Sequence, residues 1–269
     1  MHPILFHIGP VTIRSYGTMI LLAFVAGIAW AMREARRREM DPGLILDLGV
    51  WLMLSGIFFA RAAFIALDPY LTWRDLPYVW QGGLSFHGGL FGGVLAGVIF
   101  VRLRRIHFWT LADVCAPSIA LGYGIARIGC LLNGCCYGGP TDLPWALRFT
   151  DYHTGQLTSP SHPTQVYSTL AGWGLFAVLV AFGRRSRLPG AVFLLYLMGY
   201  SVIRFLMEYL RRGYTADPMP VAWLAWLTEA QFACIVVFAG AGLVWWRLAR
   251  RAGVRADHGA SAHPNHPSG

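Results

Sequence analysis

The sequence has no lysine and little charge of either sign. All 22 basic residues are arginine, and only 13% of the 269 residues are charged. Soluble domains average about 25% charged residues, so this composition excludes an ordinary soluble domain. The formal net charge of +9 does not indicate nucleic acid, because most of the arginines lie in short loops between apolar runs. We therefore expect no nucleic-acid partner.

Cysteine is also scarce. Five cysteines are an odd number, which excludes a framework in which every cysteine is paired. Three of the five cysteines lie close together in the sequence, at Cys130, Cys135 and Cys136. Their C-x4-C-C spacing is not a common zinc pattern. We predict no metal and no cofactor. The spacing leaves two alternatives open, a disulfide from Cys130 to Cys135 or Cys136, or free packing thiols.

Seven apolar runs are long enough to cross a hydrocarbon core. The N-terminus lacks the basic segment and cleavage site of a secretory signal, so we expect the first run to be retained. The sequence thus predicts an all-α, polytopic membrane protein with one domain over residues 1–251 and a disordered cytoplasmic tail over 252–269. The predicted spans are Tyr16–Met32, Leu44–Leu67, Leu84–Val101, Phe108–Leu132, Gln165–Phe182, Gly190–Leu210 and Glu229–Ala249.

The arginines outside these spans alternate in number from loop to loop. The loops after the first, third and fifth spans and the segment after the seventh hold fourteen arginines, whereas the other side holds five: Arg14, Arg74, Arg148, Arg211 and Arg212. Arginine excess marks the cytoplasmic side of a membrane. The alternation predicts an outside N-terminus, seven crossings and a cytoplasmic C-terminus.

Three arginines, Arg61, Arg127 and Arg204, lie inside or at the end of apolar runs. A charge near the bilayer centre costs at least about 2.5 kcal/mol, so such a residue usually pairs with an acid or binds a ligand. Glu208 follows Arg204 by four residues and shares its helix face. The Arg204–Glu208 pair is consistent with both hypotheses, an ion pair that fixes helix packing or an arginine that binds a ligand. For Arg61, the possible acidic partners are Asp47 and Asp113.

Two short motifs combine histidine with residues typical of backbone turns and helix starts. His87 precedes four glycines, which favours either a tight helix–helix seam or close approach of a lipid headgroup. Its imidazole is a candidate proton acceptor, because histidine titrates near neutral pH. His162-Pro163-Thr164-Gln165 introduces the fifth span, where proline in the first turn is typical of a helix start.

The largest cluster of such features is the glycine-rich stretch from Ala126 to Asp142. It begins with Arg127, whose planar guanidinium suits two-pronged contact with a phosphate. Glycines within it allow the backbone to approach a ligand closely. The sequence therefore predicts that this stretch lies at the functional site.

Taken in order, these motifs resemble the prolipoprotein diacylglyceryl transferase family over residues 3 to 250. The resemblance rests on Tyr16-Gly17, His87-Gly88-Gly89, Arg127 with Asn133-Gly134, Gly138-x-Pro140-Thr141-Asp142-Leu143-Pro144-Trp145, His162-Pro163-Thr164-Gln165-x-Tyr167, Arg204-Phe205-x-x-Glu208-Tyr209-x-Arg211 and Leu227-Thr228-x-x-Gln231. It implies an inner-membrane enzyme that moves a diacylglyceryl group from phosphatidylglycerol to the lipobox cysteine of a preprolipoprotein, releasing glycerol phosphate.

The resemblance also implies roles for individual residues. The expected catalytic residues are His87, Arg127, Arg204 and Glu208, and the expected substrate-binding residues are Tyr16, Arg61, Asn133, Gly138, His162 and Tyr167. The family commonly has asparagine at the position of Cys130 and an acidic residue at that of Cys135. These departures motivate an alternative, a transferase-like paralogue with another acceptor or lipid. Two further alternatives are a non-enzymatic anionic-lipid-binding membrane protein and a seven-helix receptor.

Overall fold

The structure is a computed structural model that describes residues 2–8, 11–150, 155–211 and 227–261. Arg212, Trp223 and Trp226, which the sequence assigns to the last outer loop, lie outside these ranges. The disordered tail predicted over 252–269 falls outside them from residue 262 onward.

Seven α-helices dominate the fold, and each is long and apolar enough to cross a membrane. Within hydrocarbon, backbone N–H and C=O groups must be satisfied inside the segment itself, which an α-helix achieves. All seven predicted spans are confirmed. The helices are α1 Ser15–Arg37, α2 Gly43–Leu67, α3 Phe86–Arg104, α4 Phe108–Asn133, α5 Thr164–Gly183, α6 Ala191–Arg211 and α7 Glu229–Ser261.

The structure adds elements that the hydropathy pattern did not predict. Strands β1 (Ile4–Ile8) and β2 (Val11–Arg14) form an antiparallel hairpin before α1. Two 3₁₀ turns, Trp73–Asp75 and Val79–Gln81, lie between α2 and α3. Helix α7 also continues to Ser261, past residue 251, where the predicted domain ends. Three alanines and Arg255 in this extension favour helix, whereas its two glycines do not.

The chain divides into two compact units, the first comprising Met1–Gly27 with Cys115–Gly269 and the second Ile28–Val114. Helices α1 and α4 contribute residues to both. In the first unit, Ala116 and Ala120 of α4 pack with Leu179 of α5 and with Val192 and Tyr196 of α6 in a buried cluster. The same unit contains the end of α4, the start of α5 and the end of α6.

The second unit is organised by a close contact between α2 and α3. A Cβ on Gly88 would collide with the Phe59 carbonyl oxygen, and one on Gly92 would lie 2.6 Å from the carbonyl oxygen of Ser55. The Ser55 hydroxyl donates to the Gly92 carbonyl at 2.8 Å. The glycines after His87 therefore form a small-residue helix seam, which is one of the two readings that the sequence left open.

Candidate functional site

Arg127 lies near the end of α4, with its guanidinium against an aromatic ring. Its guanidinium carbon is 4.9 Å from the centre of the Tyr123 ring, one helical turn earlier. The Tyr123 ring contacts Tyr200 of α6 edge-on at 5.3 Å. Across the described part of the chain, no carboxylate lies within ion-pair distance of Arg127. Its charge is therefore available to an anionic ligand.

On α6, Arg204, Glu208 and Arg211 follow one another at helical spacing on one face. Arg204 Nη1 is 2.5 Å from Glu208 Oε2, and Arg211 Nη1 is 3.7 Å from the same oxygen. Glu208 is only 4% exposed, and its other oxygen accepts a hydrogen bond from the Thr228 hydroxyl at 3.2 Å. The Arg204–Glu208 pair suggested by the sequence is confirmed, but one carboxylate serves two guanidinium groups.

The three arginines belong to one electrostatic neighbourhood. Arg211 interacts with Arg204 and Arg127 as well as with Glu208 and Cys136. Like charges gathered in a partly buried place repel one another unless an anion is present. Three guanidinium groups with one carboxylate therefore form a site that favours a bound anion such as a phosphate.

The glycine-rich stretch is fixed to the neighbouring helices by its backbone. The Thr164 hydroxyl donates to the Cys136 carbonyl, and the Gln165 amide nitrogen donates to the Cys135 carbonyl, both at 2.7 Å. The Gly139 N–H donates to the carbonyl of Leu210 on α6 at 2.9 Å. The stretch thus lies between the start of α5 and the end of α6, the end that carries Arg204 and Arg211.

Gly138 occupies a position at which a side chain does not fit. Its N–H donates to the His162 carbonyl at 3.0 Å. A Cβ would lie 2.8 Å from the Leu210 carbonyl oxygen and 2.9 Å from the Thr164 methyl carbon. The structure thus gives a packing reason for glycine here, and direct contact of Gly138 with a substrate stays a prediction.

Cys130, Cys135 and Cys136 are free thiols whose sulfur atoms all lie within 4.8 Å of one another. Of the two alternatives left open by their spacing, the structure has the unbonded form. Hydrogen bonds from the Cys130 and Cys135 thiols, together with the charges of Arg211 and Arg127, lower the pKa of Cys136 despite its burial. Cys136 has a positive φ of 66°, so its backbone adopts the left-handed conformation at this turn.

The remaining predicted residues of this unit lie around the same stretch. Asn133 is the exposed last residue of α4, and its side chain is a hydrogen-bond partner of the Cys135 thiol. Tyr16 is 44% exposed and interacts electrostatically with the three thiols and Arg127. His162 Nδ1 lies 3.5 Å from the Tyr167 hydroxyl, which also accepts a hydrogen bond from the Trp145 ring at 2.7 Å.

His87 and Arg61 belong to the second unit. His87 is exposed at the start of α3, with its ring edge-on to Phe86 at 5.7 Å, and its catalytic role stays a prediction. Arg61 is 2% exposed, and its guanidinium donates to the backbone carbonyls of Asp75 and Gly82.

The acids proposed for Arg61 are wrong. Asp47 pairs with Arg104, and Asp113 lies 3.8 Å from Arg38. Arg61 satisfies its donors on loop carbonyls instead, because the loop between α2 and α3 folds back over that helix end. Arg61 lines an open hollow of about 310 Å³ whose other lining residues are apolar. Its role in substrate binding stays a prediction.

Comparison with known proteins identifies the family of this chain. The family model for prolipoprotein diacylglyceryl transferase matches residues 3–247. The chain belongs to this family. Proteins named phosphatidylglycerol–prolipoprotein diacylglyceryl transferase are 36% identical in Trichormus variabilis, covering 93% of this chain and 91% of theirs, and 36% identical in Pseudomonas putida, covering 93% and 95%. The protein of that name from Synechococcus elongatus is 38% identical, covering 90% and 86%.

In this member of the diacylglyceryl transferase family, two residues outside the predicted set lie at the site. The count of loop arginines includes Arg211, although its spacing from Arg204 and Glu208 places it on their helix face. Thr228 lies in the segment that leads into the last span. Its contact with Glu208 joins residues 20 apart in sequence, and no local pattern predicts such a contact.

Proposed function

We propose that this chain transfers the diacylglyceryl group of phosphatidylglycerol to the lipobox cysteine thiol of a preprolipoprotein and releases glycerol phosphate. The observation that carries the proposal is the cluster of Arg127, Arg204 and Arg211 around a single carboxylate. Its excess positive charge fits the phosphate of an anionic lipid. Relatives that cover nearly the whole chain bear the name of this reaction's enzyme.

The leaving group determines what the arginines have to do. When the thiol sulfur attacks the glycerol carbon, the carbon–oxygen bond breaks and negative charge grows on the departing phosphate. Preorganised guanidinium groups stabilise that charge more than they stabilise the intact lipid, which lowers the barrier. Arg127 carries most of this role, because none of the carboxylates described by the structure neutralises it.

The other site residues orient the reactants. Glu208 fixes the direction of the Arg204 guanidinium through its short ion pair. Asn133 in the glycine-rich stretch and Tyr16 near its thiols are exposed polar groups that are suited to hydrogen bonds with headgroup oxygens. Arg61, Gly138, His162 and Tyr167 complete the proposed substrate-binding set. His87 accepts the thiol proton in this mechanism, since a thiol is a weak nucleophile until it is deprotonated.

We place this activity in the bacterial inner membrane, with the site toward the outer face. The arginine-rich loops after α1, α3 and α5 support a cytoplasmic position for those loops. The glycine-rich stretch includes the end of α4 and the turn after it, which places it on the opposite side. The lipid and the signal peptide both reach this face within the membrane.

The direct test uses purified full-length protein in detergent with phosphatidylglycerol and a lipobox peptide. We expect release of glycerol phosphate together with a mass increase of the peptide by one diacylglyceryl group. A peptide with serine in place of the lipobox cysteine is the matched control and should show neither change. Failure of both readouts in folded protein would contradict the proposal.

A cell-based test separates the proposed reaction from that of a transferase-like paralogue. Expression in bacteria depleted of their own transferase should restore lipidation of lipoproteins. If folded protein neither lipidates the lipobox peptide nor restores lipidation in cells, the result favours the paralogue with another acceptor or lipid. That outcome would point to the departures at Cys130 and Cys135.

A further inference from the structure

The thiols of Cys130, Cys135 and Cys136 form a cluster that the transferase mechanism described above does not use. Their sulfur atoms converge from the end of α4 and the turn that follows it, all within 4.8 Å of one another. The convergence is built into the backbone, since the Cys135 N–H donates to the Cys130 carbonyl at 3.1 Å. Hydrogen bonds from Gln165 and Thr164 hold the carbonyls of Cys135 and Cys136. The thiols are therefore held together by the fold.

Three converging sulfur atoms fit a thiophilic cation. With zinc–sulfur bonds of about 2.3 Å, the sulfur atoms of a tetrahedral site stand about 3.8 Å apart. The observed separations need to shrink by no more than about 1 Å to reach that spacing, which rotation about the side-chain bonds supplies. Soft thiolate ligands select zinc-class and copper(I)-class ions over magnesium or calcium.

The charges around the cluster favour an anionic metal–thiolate centre. Three thiolates with one divalent cation carry a net charge of −1, which is costly in a partly buried place without a counter-charge. Arg127 and Arg211 both interact electrostatically with Cys136. The guanidinium groups that favour a phosphate therefore also compensate the thiolates.

We propose that Cys130, Cys135 and Cys136 bind one Zn²⁺ ion and leave its fourth position for the acceptor thiol. Catalytic zinc sites have three protein ligands and an open position, whereas structural sites are closed by four. The C-x4-C-C spacing alone does not indicate this site, because a sequence pattern does not show that the three sulfur atoms converge.

The catalytic part of this proposal rests on the proposed transferase function. The acceptor thiol binds the ion and gives its proton to the base of the proposed mechanism, which leaves a zinc-bound thiolate. Its sulfur attacks the glycerol carbon, the carbon–oxygen bond breaks, and the electron pair leaves on the phosphate oxygen. The product is a neutral thioether, a much weaker ligand than a thiolate, and it dissociates. The ion remains divalent throughout, so no oxidant or reductant is needed.

Metal binding is tested first, without reference to turnover. Full-length protein is purified in detergent with reductant, treated with a chelator, exchanged into ZnCl₂ and washed, and its bound zinc is measured by mass spectrometry. We expect about one zinc ion per chain. Substituting Co²⁺ should give a sulfur-to-metal charge-transfer absorption. In C130S, C135S or C136S, the zinc retained should fall at least tenfold, whereas C115S, which changes a cysteine outside the cluster, should retain it.

Thermal unfolding of each variant is measured to show whether it folds. If one serine variant fails to fold, the other two decide, and wild-type protein with its thiols blocked by a thiol-specific reagent provides a further test. Chains without retained zinc and with three reactive cluster thiols would overturn the proposal. So would a disulfide within the cluster in reduced, zinc-treated protein, detected as a mass lower by two hydrogens.

Transfer assays then separate the metal's role from the function of the whole site. Chelated protein should lose at least tenfold in peptide lipidation, and zinc should restore it. Lipidation that continues unchanged in zinc-free protein would overturn the zinc-bound acceptor while leaving the transferase function intact. Zinc that binds to a chain with no lipidation activity would instead contradict the transferase function and the catalytic role, while the ion site would stand.

Discussion

Arg127 and Arg204 are both arginines within apolar helices, but their surroundings differ. Arg204 has a carboxylate at 2.5 Å, whereas Arg127 lies against the Tyr123 ring. A cation over an aromatic face is attracted by only about 0.5–2 kcal/mol, which leaves most of its capacity for an anion. Glu208 therefore holds the Arg204 guanidinium in place, whereas the Arg127 guanidinium is available to bind an anionic ligand.

Replacing Arg127 with lysine tests this division. Lysine keeps the charge but offers a single ammonium group in place of a planar fork, so two-pronged contact with a phosphate is lost. We expect kcat for peptide lipidation to fall at least about 100-fold, the loss typical of removing one preorganised donor. R184K changes an exposed arginine in the loop after α5 and should retain wild-type turnover. A fully active R127K enzyme would contradict the phosphate contact.

His87 is tested by removing its proton acceptor. Asparagine is polar and of similar size, but its amide does not take up a proton, so kcat in H87N should drop by at least about 100-fold. H107N changes an exposed histidine just before α4 and should keep wild-type turnover. Unchanged turnover in H87N would rule out His87 as the proton acceptor.

At the scale of elements, the start of α7 connects helix capping to the site. The Thr228 hydroxyl accepts from the Gln231 N–H at 3.2 Å, and the Gln231 side-chain oxygen accepts from the Thr228 N–H at 3.1 Å. This reciprocal pair is a capping box, which satisfies backbone donors that the first helical turn leaves unpaired. The same hydroxyl contacts Glu208, so the cap also positions α7 against α6.

T228A should therefore weaken both the helix and the ion pair. Loss of an N-cap hydroxyl costs about 1 kcal/mol, and we expect a lower unfolding temperature together with reduced lipidation activity. T228S retains the hydroxyl and should behave as wild type in both measurements. Unchanged stability in T228A would show that the cap contributes nothing to the fold.

The seam between α2 and α3 distinguishes glycines that are needed from glycines that are not. A Cβ on Gly88 would lie 2.5 Å from that of Ala63, whereas one on Gly93 would meet no atom within 4 Å. We expect G88A to lose about 1–3 kcal/mol of stability through overpacking. G93A should be neutral or stabilised by up to about 1 kcal/mol. Equal unfolding temperatures for the two variants would contradict the seam.

At the scale of the whole molecule, the described residues include seven helices long and apolar enough to cross a membrane. If all seven cross, the two termini face opposite sides, and we propose from the arginine excess that the C-terminal side is cytoplasmic. A reporter enzyme that is active only outside the cytoplasm should be active when fused to the N-terminus and inactive when fused after α7. Reversed activities would overturn the orientation and, with it, the outward position of the site.

Much of this molecule follows from local patterns in its sequence. The seven helices do, because length and apolar composition determine which segments cross a membrane and each helix satisfies its own backbone. The Arg204–Glu208 pair follows as well, since residues four apart on a helix are neighbours. The hairpin before α1 did not follow, because its stability depends on tertiary packing of a short segment.

Only the tertiary structure brought Thr228 to Glu208, Gln165 to Cys135 and Arg211 into the neighbourhood of Cys136. It also directed Arg61 to loop carbonyls in place of the acids Asp47 and Asp113. The physical reason is the same in each case. Local composition determines which segments become helices, whereas side-chain packing between helices determines which of their faces meet, and the site is formed where those faces meet.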